Sequence, residues 1–161
     1  MKFIKRFEKP SFSVVGKEGS TDMGEGFVQA LWLDASSNFA EIAHLAKRKE
    51  NGGFAGYWGC MTGPARSFEP FADGYTRGIY LAGAECEDGA TAGTAVPAPE
   101  GWVKWTLPGF EYVVIEREND GSFAEGLAYL EENGLDLAGA QQDFVDPDTG
   151  TNYLYFPVRR L

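Results

Sequence analysis

The sequence predicts an α+β fold made of two tandem βαββ units related by a pseudo-two-fold. The sheet is mainly antiparallel, each unit has one long helix, and a cleft lies between the halves. Three observations carry this prediction. First, Pro10-Ser11-Phe12-Ser13-Val14-Val15-Gly16-Lys17-Glu18 is echoed by Pro108-Gly109-Phe110-Glu111-Tyr112-Val113-Val114-Ile115-Glu116. The echo keeps Pro-x-Phe, then Val15 against Val113 and Glu18 against Glu116. Second, each copy is followed by a segment of helical spacing and then by strand-like sequence. Third, a Gly/Ala/Pro-rich stretch over residues 84–101 separates the copies. One domain then spans 1–161, with a first repeat over 1–84, a linker loop over 85–101 and a second repeat over 102–161. At 161 residues and 43% hydrophobic content, the chain has enough apolar mass for one shared core.

The elements follow in order. Residues 2–8 and 11–19 read as extended, punctuated by Pro10. Asp22 with Glu25 marks a helix start. Phe27, Val28, Leu31, Trp32, Ala35, Phe39, Ile42, Ala43 and Ala46 then recur at helical spacing. Ser36-Ser37-Asn38 competes for backbone hydrogen bonds and can split that helix. Asn51-Gly52-Gly53 ends it, because both residue types tolerate a left-handed cap. Short strands follow near 54–61 and 75–83, around the turn Thr62-Gly63-Pro64. Residues 84–101 are expected to form a mobile loop. In the second copy, strands over 102–106 and 109–118 are split by Pro108. Ser122-Phe123-Ala124-Glu125 has the pattern of a capping box, and its helix stops at Asn133-Gly134. A strand over 137–145 begins with Leu137-Ala138-Gly139, echoing Phe54-Ala55-Gly56. After the turn Asp146–Gly150, a strand from Asn152 to Val158 closes the sheet.

Composition excludes several functions. A net charge of −10 opposes nucleic-acid binding, which rests on Lys and Arg neutralising phosphates. It favours neutral or cationic ligands. No apolar run is long enough to cross a bilayer, and the first residues lack a signal peptide's apolar stretch, so a cytoplasmic location is expected. The single histidine, His44, falls on the polar side of the first helix, which leaves no Ser-His-Asp triad or multi-histidine metal site. Cys60 in a strand and Cys86 in a polar loop have no metal-binding spacing. No cofactor or metal motif is present in the right strand–helix context.

Aromatic rings and carboxylates remain. Tyr57 and Trp58 lie in one strand, and Tyr80 lies in the next. Tyr112 and Glu116 share one face of the Pro108 strand, and Tyr153 and Tyr155 share a face of the last one. Aromatic faces receive flat apolar and cationic groups, and a buried carboxylate neutralises a cation. Trp32, Tyr57, Trp58, Tyr80, Tyr112, Glu116, Asp143, Tyr153 and Tyr155 are therefore the candidate ligand-binding residues. Asp143 and Glu116 are the candidate acids. Divergence between the copies, with Cys60 set against Asp143, is expected to mark the site.

These residues also carry a family resemblance. Leu31-Trp32, Tyr57-Trp58-Gly59, Leu107-Pro108-Gly109 with Tyr112, Glu131-Glu132-Asn133-Gly134, Leu137-Ala138-Gly139 and Tyr153-Leu154-Tyr155-Phe156-Pro157-Val158 occur in the order found in GyrI-like effector-binding domains. The chain resembles a stand-alone member of that family, whose other members serve AraC- and MerR-type regulators as drug-sensing modules. The resemblance implies a pair of βαββ units with a cleft along the pseudo-two-fold. It implies binding of lipophilic, often cationic compounds against aromatics and an acid. It also implies two alternatives: hydrolysis of cyclopropane-bearing genotoxins, or a gyrase-inhibitor-like role with gyrase or a regulator as protein partner. In the family, the strand after Ala-Gly often carries Glu and, two residues on, Tyr. Here those places hold Asp143 and Val145, which counts against hydrolysis and leaves binding open. No helix-turn-helix domain is expected beside the duplicated unit.

Overall fold

Among the described residues, apolar strand-forming sequence makes eight strands, and every one finds an antiparallel partner. The structure is a computed structural model that describes residues 1–87 and 98–161. The first half contains β1 (Lys2–Lys9), β2 (Phe12–Ser20), α1 (Phe27–Ser37), β3 (Tyr57–Thr62), the single turn α2 (Ala72–Tyr75) and β4 (Ile79–Cys86). The second contains β5 (Val103–Leu107), β6 (Phe110–Glu116), α3 (Ser122–Glu132), β7 (Gln142–Val145) and β8 (Asn152–Arg160). Together they form one sheet in the order β1-β6-β8-β7-β3-β4-β2-β5. The mobile loop expected over 84–101 falls largely on residues 88–97, which lie outside the described residues.

The α+β duplication is visible in this order. The units β2-α1-β3-β4 and β6-α3-β7-β8 have the same topology, and β3 meets β7 antiparallel at the centre. The extra strand that leads each copy does not stay with it. β1 pairs with β6 of the second half, and β5 pairs with β2 of the first. These two strands end the sheet, and Lys2, Lys5, Arg6 and Lys9 on β1 discourage further edge pairing.

One cross-strand row locates the symmetry axis. It runs Lys17, Ala82, Gly59, Asp143, Leu154, Ile115. Lys17 and Ile115 are mates in the sequence echo, so Ala82 matches Leu154 and Gly59 matches Asp143. The axis passes between that last pair. Asp143 is therefore the mate of Gly59, not of Cys60 as expected, because adjacent residues of a strand point to opposite faces.

The two faces are covered differently. On one, α1 packs on β2 and β4. Leu130, Phe123 and Leu127 of α3 pack on Val113, Ile115, Leu154 and Phe156. The helices thus sit over separate halves and leave the β3–β7 seam between them. On the other face, Phe12, Trp58, Trp105, Leu107, Phe110, Tyr112 and Tyr155 join one apolar cluster. Members from β5 and β6, near opposite ends of the strand order, meet there, so the sheet curls around it. Gly16 opposite Gly83 permits the close approach of β2 and β4, since a Cβ on Gly16 would sit 2.5 Å from the Ala82 carbonyl oxygen.

Local departures from the expected elements have physical causes. Helix α1 ends at Ser37, well before Asn51, because Asn38 Nδ2 donates to the Asp34 carbonyl (3.0 Å) and carboxylate (2.8 Å) and takes the role of cap. Phe39, in a short 3₁₀ turn (Phe39–Glu41), and Ile42 and Ala46 after it keep packing inward. His44 is exposed in a turn there, not on a helix. The Ser122 capping box is not made. Ser122 Oγ instead accepts the Glu118 and Asn119 amides at 2.9 and 3.2 Å and folds the loop before the helix. Helix α3 ends as expected, with Asn133 as cap and Gly134 at φ +67. Of the strand expected over 137–145, only Gln142–Val145 pairs with its neighbours. Ala138 and Ala140 donate to the Pro157 and Phe68 carbonyls instead. Cys86 is buried at the end of β4 and is not in a polar loop.

Candidate functional site

The seam between the helices carries Gly59 and Asp143 side by side. Because Gly59 lacks a side chain, the Tyr80 ring lies across the strand, with its hydroxyl where a Cβ would be. That hydroxyl donates to Asp143 Oδ2 at 2.9 Å and accepts from Trp32 Nε1 at 3.1 Å. Gln141 Nε2 donates to Asp143 Oδ1 at 2.8 Å. The result is a relay from α1 through β4 to β7: Trp32, Tyr80, Asp143. Burial holds the Asp143 carboxyl above the usual carboxylate range. The Gln141 and Tyr80 hydrogen bonds and the Arg117 charge oppose that rise. Burial first, then the Asp143 charge, pushes the Tyr80 phenol well up.

Two adjoining cavities open here. One, of 320 Å³, is lined by Val28, Gln29, Trp32, Tyr80, Arg117, Asp143, Val145, Asn152 and Tyr153. The other, of 370 Å³, lies under α1 and is mostly apolar, with Trp32, Ala35, Phe39, Ile42, Tyr57 and Val145 in its wall. Trp32 and Val145 belong to both, so a lobe holding Asp143 and Arg117 adjoins an aromatic one. Volumes of this order suit a drug-sized molecule.

The structure divides the sequence candidates. Trp32, Tyr57, Tyr80 and Asp143 line this cleft, and Tyr153 borders it from β8 while its ring packs beside Phe144 on the far-face cluster. Trp58, Tyr112 and Tyr155 lie on the other face of the sheet, in the curled core. Tyr112 is fully buried there, its hydroxyl without a hydrogen-bond partner among the described residues. Glu116 pairs with Lys2 at 3.3 Å where β1 joins β6. Its echo mate Glu18 holds Arg66 at 2.8 Å and accepts Trp105 Nε1 at 2.8 Å. The Arg66 hydrogen bond keeps Glu18 below the usual carboxylate range, against a smaller rise from burial. Sequence reading missed Arg117, Asn152 and the Phe39–Ile42 wall. Arg117 was accessible in principle, because alternation along β6 sets it opposite Glu116. Phe39 and Ile42 were seen as helix core, and only the early end of α1 turns them into a cavity wall.

Among the described residues, no group of His, Cys, Asp and Glu is arranged to hold a metal. No described helix is long and apolar enough to cross a membrane.

No family model and no curated protein matches the sequence. Solved structures match its fold. SAV2435 bound to tetraphenylphosphonium aligns with a TM-score of 0.60 at 16% identity, covering 99% of this chain and 94% of that one. The EcmrR C-terminal domain aligns at 0.59 and 12% identity, covering all of both chains (100% and 100%). A hydrolase from Listeria innocua aligns at 0.52 and 15% identity, covering 98% and 91%. Identities this low establish a shared fold. It is the fold that the GyrI-like resemblance implied.

Proposed function

We propose that the protein binds lipophilic cations in the cleft over the β3–β7 seam, as a GyrI-like small-molecule-binding domain. The observation that carries this reading is the partly buried Asp143 carboxylate at the floor of an aromatic-walled cavity. A cation entering there recovers the Coulomb energy that burial withholds from the acid. Its apolar body displaces water from Trp32, Tyr57, Phe39 and Ile42, and the rings attract the positive charge. Sharing a fold with the tetraphenylphosphonium-bound SAV2435 supports the choice of ligand class. Both Asp143 oxygens accept hydrogen bonds from fixed donors, which suits holding a charge better than passing a proton and favours binding over hydrolysis.

Titration with tetraphenylphosphonium, followed by tryptophan fluorescence, tests the reading. Saturable quenching is expected, because Trp32 lines both lobes. Asp143→Asn should keep the fold and weaken binding by about 2 kcal/mol, as for a desolvated charge pair. If a panel of lipophilic cations leaves the fluorescence unchanged, the reading fails.

A further inference from the structure

The opposite face of the same seam has the opposite chemistry. Directly beside the Gly59–Asp143 pair, Trp58 faces Phe144 across β3 and β7, and both point to the far side of the sheet. Trp58 and Phe144 have ring centres 4.8 Å apart, and Tyr155 lies 4.9 Å from Trp58 and 5.5 Å from Phe144. These rings line a concavity of 530 Å³.

Its rim is cationic. Lys5, Lys9, Lys47, Arg48 and Lys49 stand around it, a concentration drawn from only 14 Lys and Arg in a chain of net charge −10. Part of this charge is already matched. Buried Glu85 is held by Lys9 at 3.2 Å, Lys47 at 3.5 Å and the Trp58 Nε1 donor at 3.2 Å. Lys49 pairs with Asp148. Lys5 and Arg48 are different: among the described residues neither has a carboxylate within ion-pair distance. Lys5 lies 4.3 Å from the Phe7 ring centre, and Arg48 lies 4.1 Å from that of Phe54. Exposed Glu50 is the remaining acid of the rim. The concavity thus joins a floor of mutually tilted aromatic rings, with Phe144 the most exposed of the three, to cationic groups whose charge no acid meets.

We propose that this concavity is a second ligand site, selective for amphipathic anions. The apolar body of such a ligand lies against Phe144 and the exposed edges of Trp58 and Tyr155. Its carboxylate, sulfonate or phosphate is held by the rim cations, Lys5 and Arg48 foremost. The site shares no side chain with the Asp143 cleft and does not depend on that cleft binding anything.

A matched pair of dyes tests it: 8-anilinonaphthalene-1-sulfonate and N-phenyl-1-naphthylamine, the same ring system without the sulfonate. The anionic dye should bind about tenfold tighter, the size expected of two partly exposed ion pairs. Raising the salt concentration should close that gap. The double variant Lys5→Gln/Arg48→Gln should lose the preference while keeping the melting temperature and the tetraphenylphosphonium response of the parent. Four results would overturn the proposal: no binding of the anionic dye, equal affinity for both dyes, an unaltered preference in the double variant, or displacement of the anionic dye by tetraphenylphosphonium. A protein that ignores the dye but sediments with phosphatidylglycerol vesicles overturns it too, in favour of a membrane surface.

Discussion

The two halves share a backbone plan and fill it differently. Beneath α3, the sheet presents Leu154, Ile115 and Phe156, and these pack against Leu130; the cavity beside Phe123 is smaller, at 190 Å³. The row equivalence makes Ala82 the mate of Leu154, and by the same ladder Ala84 is the mate of Phe156. Beneath α1, the sheet therefore presents Gly59, Ala82 and Ala84. The room left at Gly59 is where Tyr80 lies down, and a 370 Å³ cavity opens beside it between α1, Gly83 and Val145. One half is built for packing and the other for vacancy. A ligand site on a symmetric scaffold need not be symmetric: the axis supplies the groove, and small residues on one side supply the room.

The largest expected effect is on the packed half. Phe156→Ala should cost roughly 3–5 kcal/mol in chemical denaturation, the cost of removing a buried aromatic ring. Tetraphenylphosphonium affinity of the folded fraction should stay near that of the parent. A loss of affinity matching the loss of stability would erase the division of labour. Next comes Gly59→Ala on the seam. The new Cβ cannot coexist with the Tyr80 hydroxyl. The ring must move, at an overpacking cost of about 1–3 kcal/mol, and the Trp32–Tyr80–Asp143 relay breaks. A crystal structure with the relay intact would show the glycine to be dispensable. Tyr57→Ala, on the open half, should cost less stability than Phe156→Ala, because Tyr57 is only half-buried, yet should weaken cation binding. The contrast between those two aromatic deletions is the sharpest form of the comparison.

The smallest effect is on pH dependence. The folded state raises the Asp143 pKa, mainly by burial. The penalty on the ionised group is absent below its unfolded pKa. It is fully felt above its folded pKa, so this group favours the fold at lower pH. Asp143→Asn should flatten that part of the melting-temperature profile and leave the variant slightly more stable than the parent at neutral pH. Cation affinity should run the other way, falling as pH drops through the raised pKa, at a higher pH than for an exposed aspartate.

Much of this fold was legible in the chain. The Pro-x-Phe echo, the strands on either side of Pro10 and Pro108 and the stop at Asn133-Gly134 are local signals, and they formed where expected; the strands expected over 54–61, 75–83 and 137–145 formed as Tyr57–Thr62, Ile79–Cys86 and Gln142–Val145. Long-range decisions were not legible. Nothing in residues 2–8 says that β1 will join β6. Asn38, which can reach back to Asp34, ended α1 where apolar spacing alone would have continued it. The site was half legible for the same reason. Aromatic strands announce themselves, but which face each ring takes depends on register. A shift of one residue decides whether Asp143 stands opposite a cysteine or a glycine. That register separated Trp58, Tyr112 and Tyr155 from the acid they had been grouped with.

The exchange of β1 and β5 makes neither half self-sufficient. A fragment ending at residue 87 carries β1 without the strand it hydrogen-bonds to. A fragment beginning at residue 98 carries β5 in the same position. Cut between those residues, the chain becomes two pieces that each hold the other's missing edge. Such pieces should stay poorly folded apart and recognise one another when mixed.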